Sequence, residues 1–173
     1  MKKRLFLTTT ILILLTVIFS TLYITTKNQT ALTIAVSIGT TAYHFVMRLF
    51  IGLCLGKWLK LKKENWWFKE KRFEKKLYKF LRVKKWKNKL PTYNPDTFDI
   101  KKKSFSAIVS ATCYSEIGHE VMAALSFLPL LLVFPFGEIT VFAITSTLGA
   151  IFDLLFAIIQ RYNRPRLLKC LHG

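Results

Sequence analysis

The sequence predicts an all-α, polytopic membrane protein with about four transmembrane helices and a basic amphipathic segment at the membrane interface. Two observations carry that prediction. The 173 residues are 52% hydrophobic, yet 27 Lys+Arg stand against 9 Asp+Glu. Apolar and positive residues come in alternating blocks, which is not how one water-soluble core is built. Four of the apolar blocks, at about 5–24, 31–56, 106–136 and 139–159, also reach the roughly 20 residues that a bilayer core requires. Helices are expected throughout, because only helices and closed barrels satisfy their backbone in lipid, and these runs lack barrel-like alternation. Residues 1–173 are expected to form one integral membrane domain with a basic loop at 57–105.

The first block follows Lys2, Lys3 and Arg4. It has the basic start and apolar centre of a secretory signal, but no small-x-small cleavage site follows, so an uncleaved anchor is expected. The second block carries His44 and Arg48, four residues apart and therefore on one helix face. Ionisable groups at such depth face a bundle interior and a partner. Gly52 and Gly56 form a small-xxx-small pair that would admit a neighbouring helix.

Residues 57–105 hold 18 Lys+Arg and 5 acids. Trp58, Trp66, Trp67, Phe68, Phe73, Leu77, Phe80, Leu81 and Trp86 recur among them at mostly three to five residues. One or two amphipathic helices are expected, with aromatics at headgroup depth and lysines toward anionic membrane lipids. Basic residues mixed with aromatics also suit nucleic acid, but this stretch is tethered between two spans and lipid phosphate is the nearer polyanion, so no nucleic-acid partner is expected. The same cations could capture an anionic amphipathic substrate such as acyl-CoA. "PTYNPDTFD" (91–99) then leads to the third span.

That span opens with "CYSEIGHE" (113–120). Glu116 and His119 share a face, and a run of about 20 residues ending near Pro135 places them at the cytoplasmic membrane boundary. The carboxylate is then expected to orient one ring nitrogen while the other takes a proton. The fourth block places Asp153 about 10 Å inside the membrane, as the partner of Arg48, at 1.5 Å per residue from Gln160. Arg161, Tyr162, Asn163 and Arg164 are expected at the surface, with Pro165 ending the helix.

The orientation of the spans follows from charge. The N-terminus, the 57–105 loop and the end from Gln160 onward are basic, whereas "TKNQT" and "PFGE" carry almost no positive charge. Both termini and the loop are therefore expected in the cytoplasm of a bacterial cell. Cys54, Cys113 and Cys170 then lie near cytoplasmic helix ends, as reduced packing residues. Asn28-Gln29-Thr30 matches a glycosylation sequon, a three-residue pattern of little weight.

"RVKKWKNKL" (82–90), "SEIGHEVMAALSFLP" (115–129) and "AIIQRYNRPRL" (157–167) resemble blocks of the glycosyl-4,4'-diaponeurosporenoate acyltransferase family, small bacterial membrane enzymes that attach a fatty acyl chain to the sugar of a carotenoid glycoside. The resemblance runs over about residues 80–167, and its last block is the most specific. It implies functional roles for Trp86, Glu116, His119, Gln160, Arg161, Tyr162, Asn163, Arg164, Pro165 and Arg166. His44, Arg48 and the first two spans have no counterpart in it.

The residues suit acyl transfer without a covalent enzyme intermediate. A sugar hydroxyl attacking a thioester needs a base, which His119 with Glu116 would supply. Donors for the developing oxyanion would come from Arg161, Asn163 and Arg164, and Gln160, Tyr162, Arg166, Trp86, His44, Arg48 and Asp153 complete the candidate substrate contacts. The expected partners are acyl-CoA or another acyl thioester and a glycolipid acceptor, with no cofactor. Glu-x-x-His also occurs in di-iron bundles, but a second such motif is missing here. A non-enzymatic adaptor or anionic-lipid-binding module is the alternative, and four spans without an internal repeat argue against a transporter.

The orientation is open to direct measurement. A cysteine placed in the 26–30 or 136–138 connection is expected to label from outside the cell, and one placed in 57–105 is not. Outside labelling of the long loop would overturn the orientation and every depth derived from it.

Overall fold

Long apolar runs make long helices. In the structure, a computed structural model describing residues 2–91 and 95–172, α1 spans Lys2–Thr26 and α2 spans Gln29–Trp58. α3 covers Glu74–Phe80, α4 Val83–Trp86, α5 Phe105–Leu125, α6 Val133–Phe136 and α7 Ile139–His172. Four stretches are long and apolar enough to cross a membrane: Lys3–Thr26, Gln29–Gly56, Phe105–Phe136 and Ile139–Cys170. No strand occurs among the described residues. The Trp58 side chain and residues Thr92, Tyr93 and Asn94, all within stretches singled out above, lie outside the described set.

The chain divides into two compact units, Met1–Cys54 with Val121–Asp153, and Leu55–Glu120 with Leu154–Gly173. In the first, α1 turns almost its whole apolar surface outward: Leu7, Leu14, Val17 and Ile18 are all exposed. That is costly in water and natural in lipid. Its threonines return their hydroxyls to the helix, Thr9 to the Leu5 carbonyl at 2.8 Å and Thr16 to the Leu12 carbonyl at 2.7 Å. Lys27, at φ 54°, ends α1, and Asn28 begins α2 by accepting from the Thr30 N–H at 2.8 Å. The asparagine of the sequon is thus an N-cap.

Leu32, Val36 and Phe142 form the core of this unit, with Tyr23, Leu130, Val133 and Val141 packed against it. Tyr43 donates to the Leu125 carbonyl at 2.8 Å, satisfying an orphan acceptor at the end of α5. Deeper in α2, Arg48 meets Asp153 as the sequence predicts: Nη2 lies 2.6 Å from Oδ2 and Nε 3.3 Å from Oδ1. The guanidinium also donates to the carbonyls of His44 and Gly149.

The helices of this unit approach closely at Gly39 and Gly149 and not at Gly52, the member of the expected Gly52–Gly56 pair that belongs to it. A Cβ on Gly149 would lie 2.8 Å from His44 Cε1 and 3.2 Å from Ser126 Oγ, whereas one on Gly52 or Gly56 would meet nothing within 4 Å. A glycine pair read from spacing alone marks where an approach is allowed, and the imidazole of His44 decides where one is required.

The second unit gives the one or two amphipathic helices expected in 57–105 a shorter, more broken form. The stretch folds into short pieces: a 3-10 turn at Trp66–Phe68, the seven residues of α3, the four of α4, and 3-10 turns at Lys87–Lys89 and Pro95–Phe98. Like charges four apart, as at Lys71/Lys75 and Arg72/Lys76, repel on a continuous helix. The break falls at Arg82, whose φ of 50° and ψ of 39° put it in the left-handed region. Tyr78, Val83 and Tyr162 form this unit's core, joined by Leu81, Trp86 and Ile158.

α7 also differs from its expected end. It runs through Pro165 to His172. Proline leaves the Arg161 carbonyl without its helical donor, while the neighbouring Tyr162 carbonyl accepts an additional bond from Arg166 Nη1. Transmembrane helices tolerate proline when neighbouring groups take up such freed partners.

Arg48 and Asp153 neutralise each other, so each single removal takes a charge-assisted partner from the other. Arg48→Met or Asp153→Leu is expected to lower unfolding stability by about 3–5 kcal/mol, and the double variant by clearly less. Losses that simply add, measured by thermal or denaturant unfolding in detergent, would remove the pair from this account.

Candidate functional site

The candidate site lies in the Leu55–Glu120 and Leu154–Gly173 unit and is built around a buried carboxylate. α5 begins where Ser104 Oγ accepts from the Ala107 N–H at 3.2 Å, a serine N-cap. Three turns on, the helix presents Glu116 with no solvent exposure. Its Oε1 accepts from Arg161 Nη1 at 2.6 Å, and its Oε2 accepts from Arg164 Nη2.

Each arginine is held by further acceptors. Arg161 Nη2 donates to Glu74 Oε1 at 2.7 Å and to the Trp67 carbonyl at 3.1 Å. Arg164, 2% exposed, donates to Thr112 Oγ1 at 3.0 Å, to the Thr112 carbonyl at 3.2 Å and to the Phe68 carbonyl at 3.3 Å. Its guanidinium carbon also lies 4.9 Å from the centre of the Phe68 ring. Two cations and two anions thus close into a neutral network tying α3, α5, α7 and the Trp66–Phe68 turn together. Planar guanidinium forks suit such multidentate duty better than lysine would.

This arrangement corrects one expectation. Glu116 does not orient His119, because both of its oxygens are taken by arginines. A permanently charged guanidinium is a stronger partner for a buried carboxylate than an imidazole on the same helix face. Tyr162 and Arg164 are buried within the protein. His119 is half-buried, with its ring stacked on Phe156 at 4.9 Å between centroids and 16° between planes.

The remaining predicted residues separate. Trp86 donates its indole N–H to the Leu81 carbonyl at 2.8 Å and packs on the Tyr78–Val83–Tyr162 cluster. Asn163 Oδ1 accepts from Lys87 Nζ at 2.9 Å. Arg166 lies over the Tyr162 ring at 3.8 Å. Gln160 is half-buried on α7. His44, Arg48 and Asp153 belong to the other unit, where the His44 ring nitrogens and Ser146 Oγ are buried without a hydrogen-bond partner among the described residues.

Sequence reading missed Glu74, Tyr78, Thr112 and Lys87. Glu74 and Tyr78 are four apart on α3, and the phenol donates to Glu74 Oε2 at 2.7 Å. Burial and this carboxylate push the Tyr78 phenol well above its ordinary range, so it stays a donor at any physiological pH. The only signal in the sequence was a carboxylate placed one turn from a tyrosine within a lysine-rich run. Lys87 is shifted the other way, lowered by burial and by the charge of Arg166.

Arg161 also reaches the wall of a cavity of about 530 Å³ whose apolar lining includes Trp66, Trp67, Phe73, Leu77 and Ile158. An apolar chamber with a guanidinium and a buried carboxylate on one side can seat a hydrocarbon chain that ends in a polar carbonyl.

A family model described as glycosyl-4,4'-diaponeurosporenoate acyltransferase matches residues 64–172. The matched stretch contains the whole arginine–carboxylate network and His119. No curated protein and no solved structure matches the chain.

Glu116→Gln leaves two arginines facing a neutral amide. It is expected to cost about 3–5 kcal/mol of stability, seen as a lowered unfolding temperature in lipid, while His119→Gln leaves that temperature near the parent value. Equal unfolding temperatures for Glu116→Gln and the parent would contradict the network as the anchor of this unit.

Proposed function

This chain belongs to the glycosyl-4,4'-diaponeurosporenoate acyltransferase family, and from that premise we propose that it moves a fatty acyl group from an acyl thioester to a sugar hydroxyl of a glycosylated lipid, a carotenoid glycoside or a related glycolipid, at the cytoplasmic membrane face. The observation that carries the reading is the match over residues 64–172, which takes in His119, the Glu116–Arg161–Arg164 network and the apolar cavity beside Arg161. The family is one of acyltransferases, so a purely adaptor role is set aside.

In the proposed reaction His119 removes the proton of the sugar hydroxyl as its oxygen attacks the thioester carbonyl. The C–O bond forms, the carbonyl oxygen gains charge, and collapse breaks the C–S bond. The leaving thiolate then takes the proton back from the imidazolium. Phe156, stacked on the imidazole, fixes the plane in which the ring works. Arg161 is the proposed donor to the developing oxyanion, since it faces the apolar cavity and is held in place by Glu116 and Glu74. Arg164, buried behind it, positions Glu116. No serine or cysteine acts as nucleophile in this scheme.

The membrane assignment belongs to the same reading. Both termini and the basic loop are placed in the cytoplasm, with the loop's exposed aromatics, among them Trp66, Phe73 and Phe80, at headgroup depth among anionic lipids. The loop's cations serve lipid and donor, not nucleic acid.

The test is acyl transfer by purified protein in lipid, with an acyl thioester and the cell's own glycolipid fraction. His119→Gln keeps size and some hydrogen bonding but removes the base, so turnover is expected to fall about 100-fold or more at unchanged unfolding temperature. Unchanged turnover would sink the catalytic role of His119.

A further inference from the structure

In the Glu116–Glu74 network each guanidinium has a carboxylate, so neither Arg161 nor Arg164 is left over for an anionic donor. A different region of the same unit has the opposite balance. A cavity of about 640 Å³ lies between α3, the α3–α4 corner and the last turns of α7, and its basic lining includes Lys79, Arg82, Lys84, Lys85, Arg166 and Lys169. Glu70 is the one carboxylate on its wall, and it lies 3.8 Å from Lys75, which also lines the cavity. For Lys79, Arg82, Lys84, Lys85 and Lys169 the described residues supply no ion-pair partner.

Three features distinguish this cavity from an ordinary solvated basic face. It is concave, and its size falls within the range of small-molecule sites, roughly 300–1,000 Å³. Its cations come from separate elements made to converge by Arg82, an arginine held in the left-handed backbone region. Non-glycine residues in that region tend to mark functional corners. Its back wall is rigid: Tyr78 and Tyr162 meet edge to face at 5.3 Å, and Arg166 is pinned on the Tyr162 ring and carbonyl.

Tyr78 also lines the apolar cavity that holds Arg161. One tyrosine thus separates a chamber suited to several phosphates from one suited to a hydrocarbon chain. The ligand that carries both, with a thioester between them, is a fatty acyl-coenzyme A.

We propose that the Lys79–Lys84–Lys85–Arg166 cavity binds the phosphates of a coenzyme A thioester, whose acyl chain occupies the neighbouring cavity of Trp66, Phe73 and Leu77. This rests on the acyltransferase reading and names its donor. A phospholipid headgroup shares the phosphate chemistry but usually presents a single phosphodiester. Coenzyme A presents a diphosphate and a 3'-phosphate, closer to the number of uncompensated cations.

The experiment uses the full chain in nanodiscs of phosphatidylcholine, titrated calorimetrically with coenzyme A, dephospho-coenzyme A and pantetheine. Coenzyme A is expected to bind and to weaken as salt rises. Loss of the 3'-phosphate is expected to weaken binding about tenfold, and pantetheine is expected not to bind measurably. Lys79→Gln and Lys84→Gln alter exposed side chains. Each is expected to raise the KM for acyl-coenzyme A severalfold, leaving the KM for the glycoside acceptor and the unfolding temperature unchanged. Equal affinity for coenzyme A and pantetheine, or no effect of either variant on coenzyme A binding, overturns the assignment. Loss of coenzyme A binding when phosphatidylglycerol replaces phosphatidylcholine gives the cavity to a lipid headgroup and overturns it as well. Acylation from acyl carrier protein but not from acyl-coenzyme A overturns the donor assignment while the acyltransferase reading stands. Failure to acylate the glycoside from any donor strikes that reading instead.

Discussion

Glu116 is a carboxylate with no access to solvent, and the unit that carries it is organised by the need to neutralise it. A lone charge in such a place is prohibitively expensive, so two guanidinium groups are drawn to it. Each then requires acceptors of its own. Arg161 takes Glu74 and the Trp67 carbonyl, and Arg164 takes Thr112 and the Phe68 carbonyl. The basic loop is thereby bound to α5 and α7 through specific acceptors and not only through its charge. The same logic operates on a smaller scale in the other unit, where Arg48 and Asp153 neutralise each other beside His44.

Charge compensation separates the second unit into two regions with different chemistry. Buried cations are paired in full, which makes the network a rigid frame and leaves it little capacity to hold a phosphate. The cations around the α3–α4 corner are exposed and unpaired, so they remain available to an anionic ligand. Between the two regions stands Tyr78, whose phenol is locked by Glu74 and whose ring packs on Tyr162. A residue absent from the sequence-level list of candidates thus forms a wall of both cavities.

Much of this was legible in the chain. Four long apolar runs had to be helices, because lipid offers the backbone no other partners. The Arg48–Asp153 pair followed from depth, since ionisable groups well inside apolar spans face the bundle interior and seek an opposite charge. The three blocks at 82–90, 115–129 and 157–167 identified the family before any contact was known. By contrast, the ends and interruptions of helices were read less well. Pro165 does not stop α7, and the lysine-rich run does not sustain one long helix, because like-charge repulsion and the corner at Arg82 break it.

Composition and spacing were therefore enough to say which segments are long and apolar enough to cross a membrane, where the positive charge gathers, and which polar residues had to be accounted for. Those properties depend on composition and on spacing along one helix, both of which are local. Who pairs with whom was settled only by contacts between distant parts of the chain. The i, i+3 spacing of Glu116 and His119 established a common face, but it carried no information about competitors arriving from α7. Once Arg161 and Arg164 are brought within reach, the stronger charge-assisted bonds prevail, the imidazole stacks on Phe156 instead, and Glu74, hidden in a basic run, becomes the second anion that balances the site.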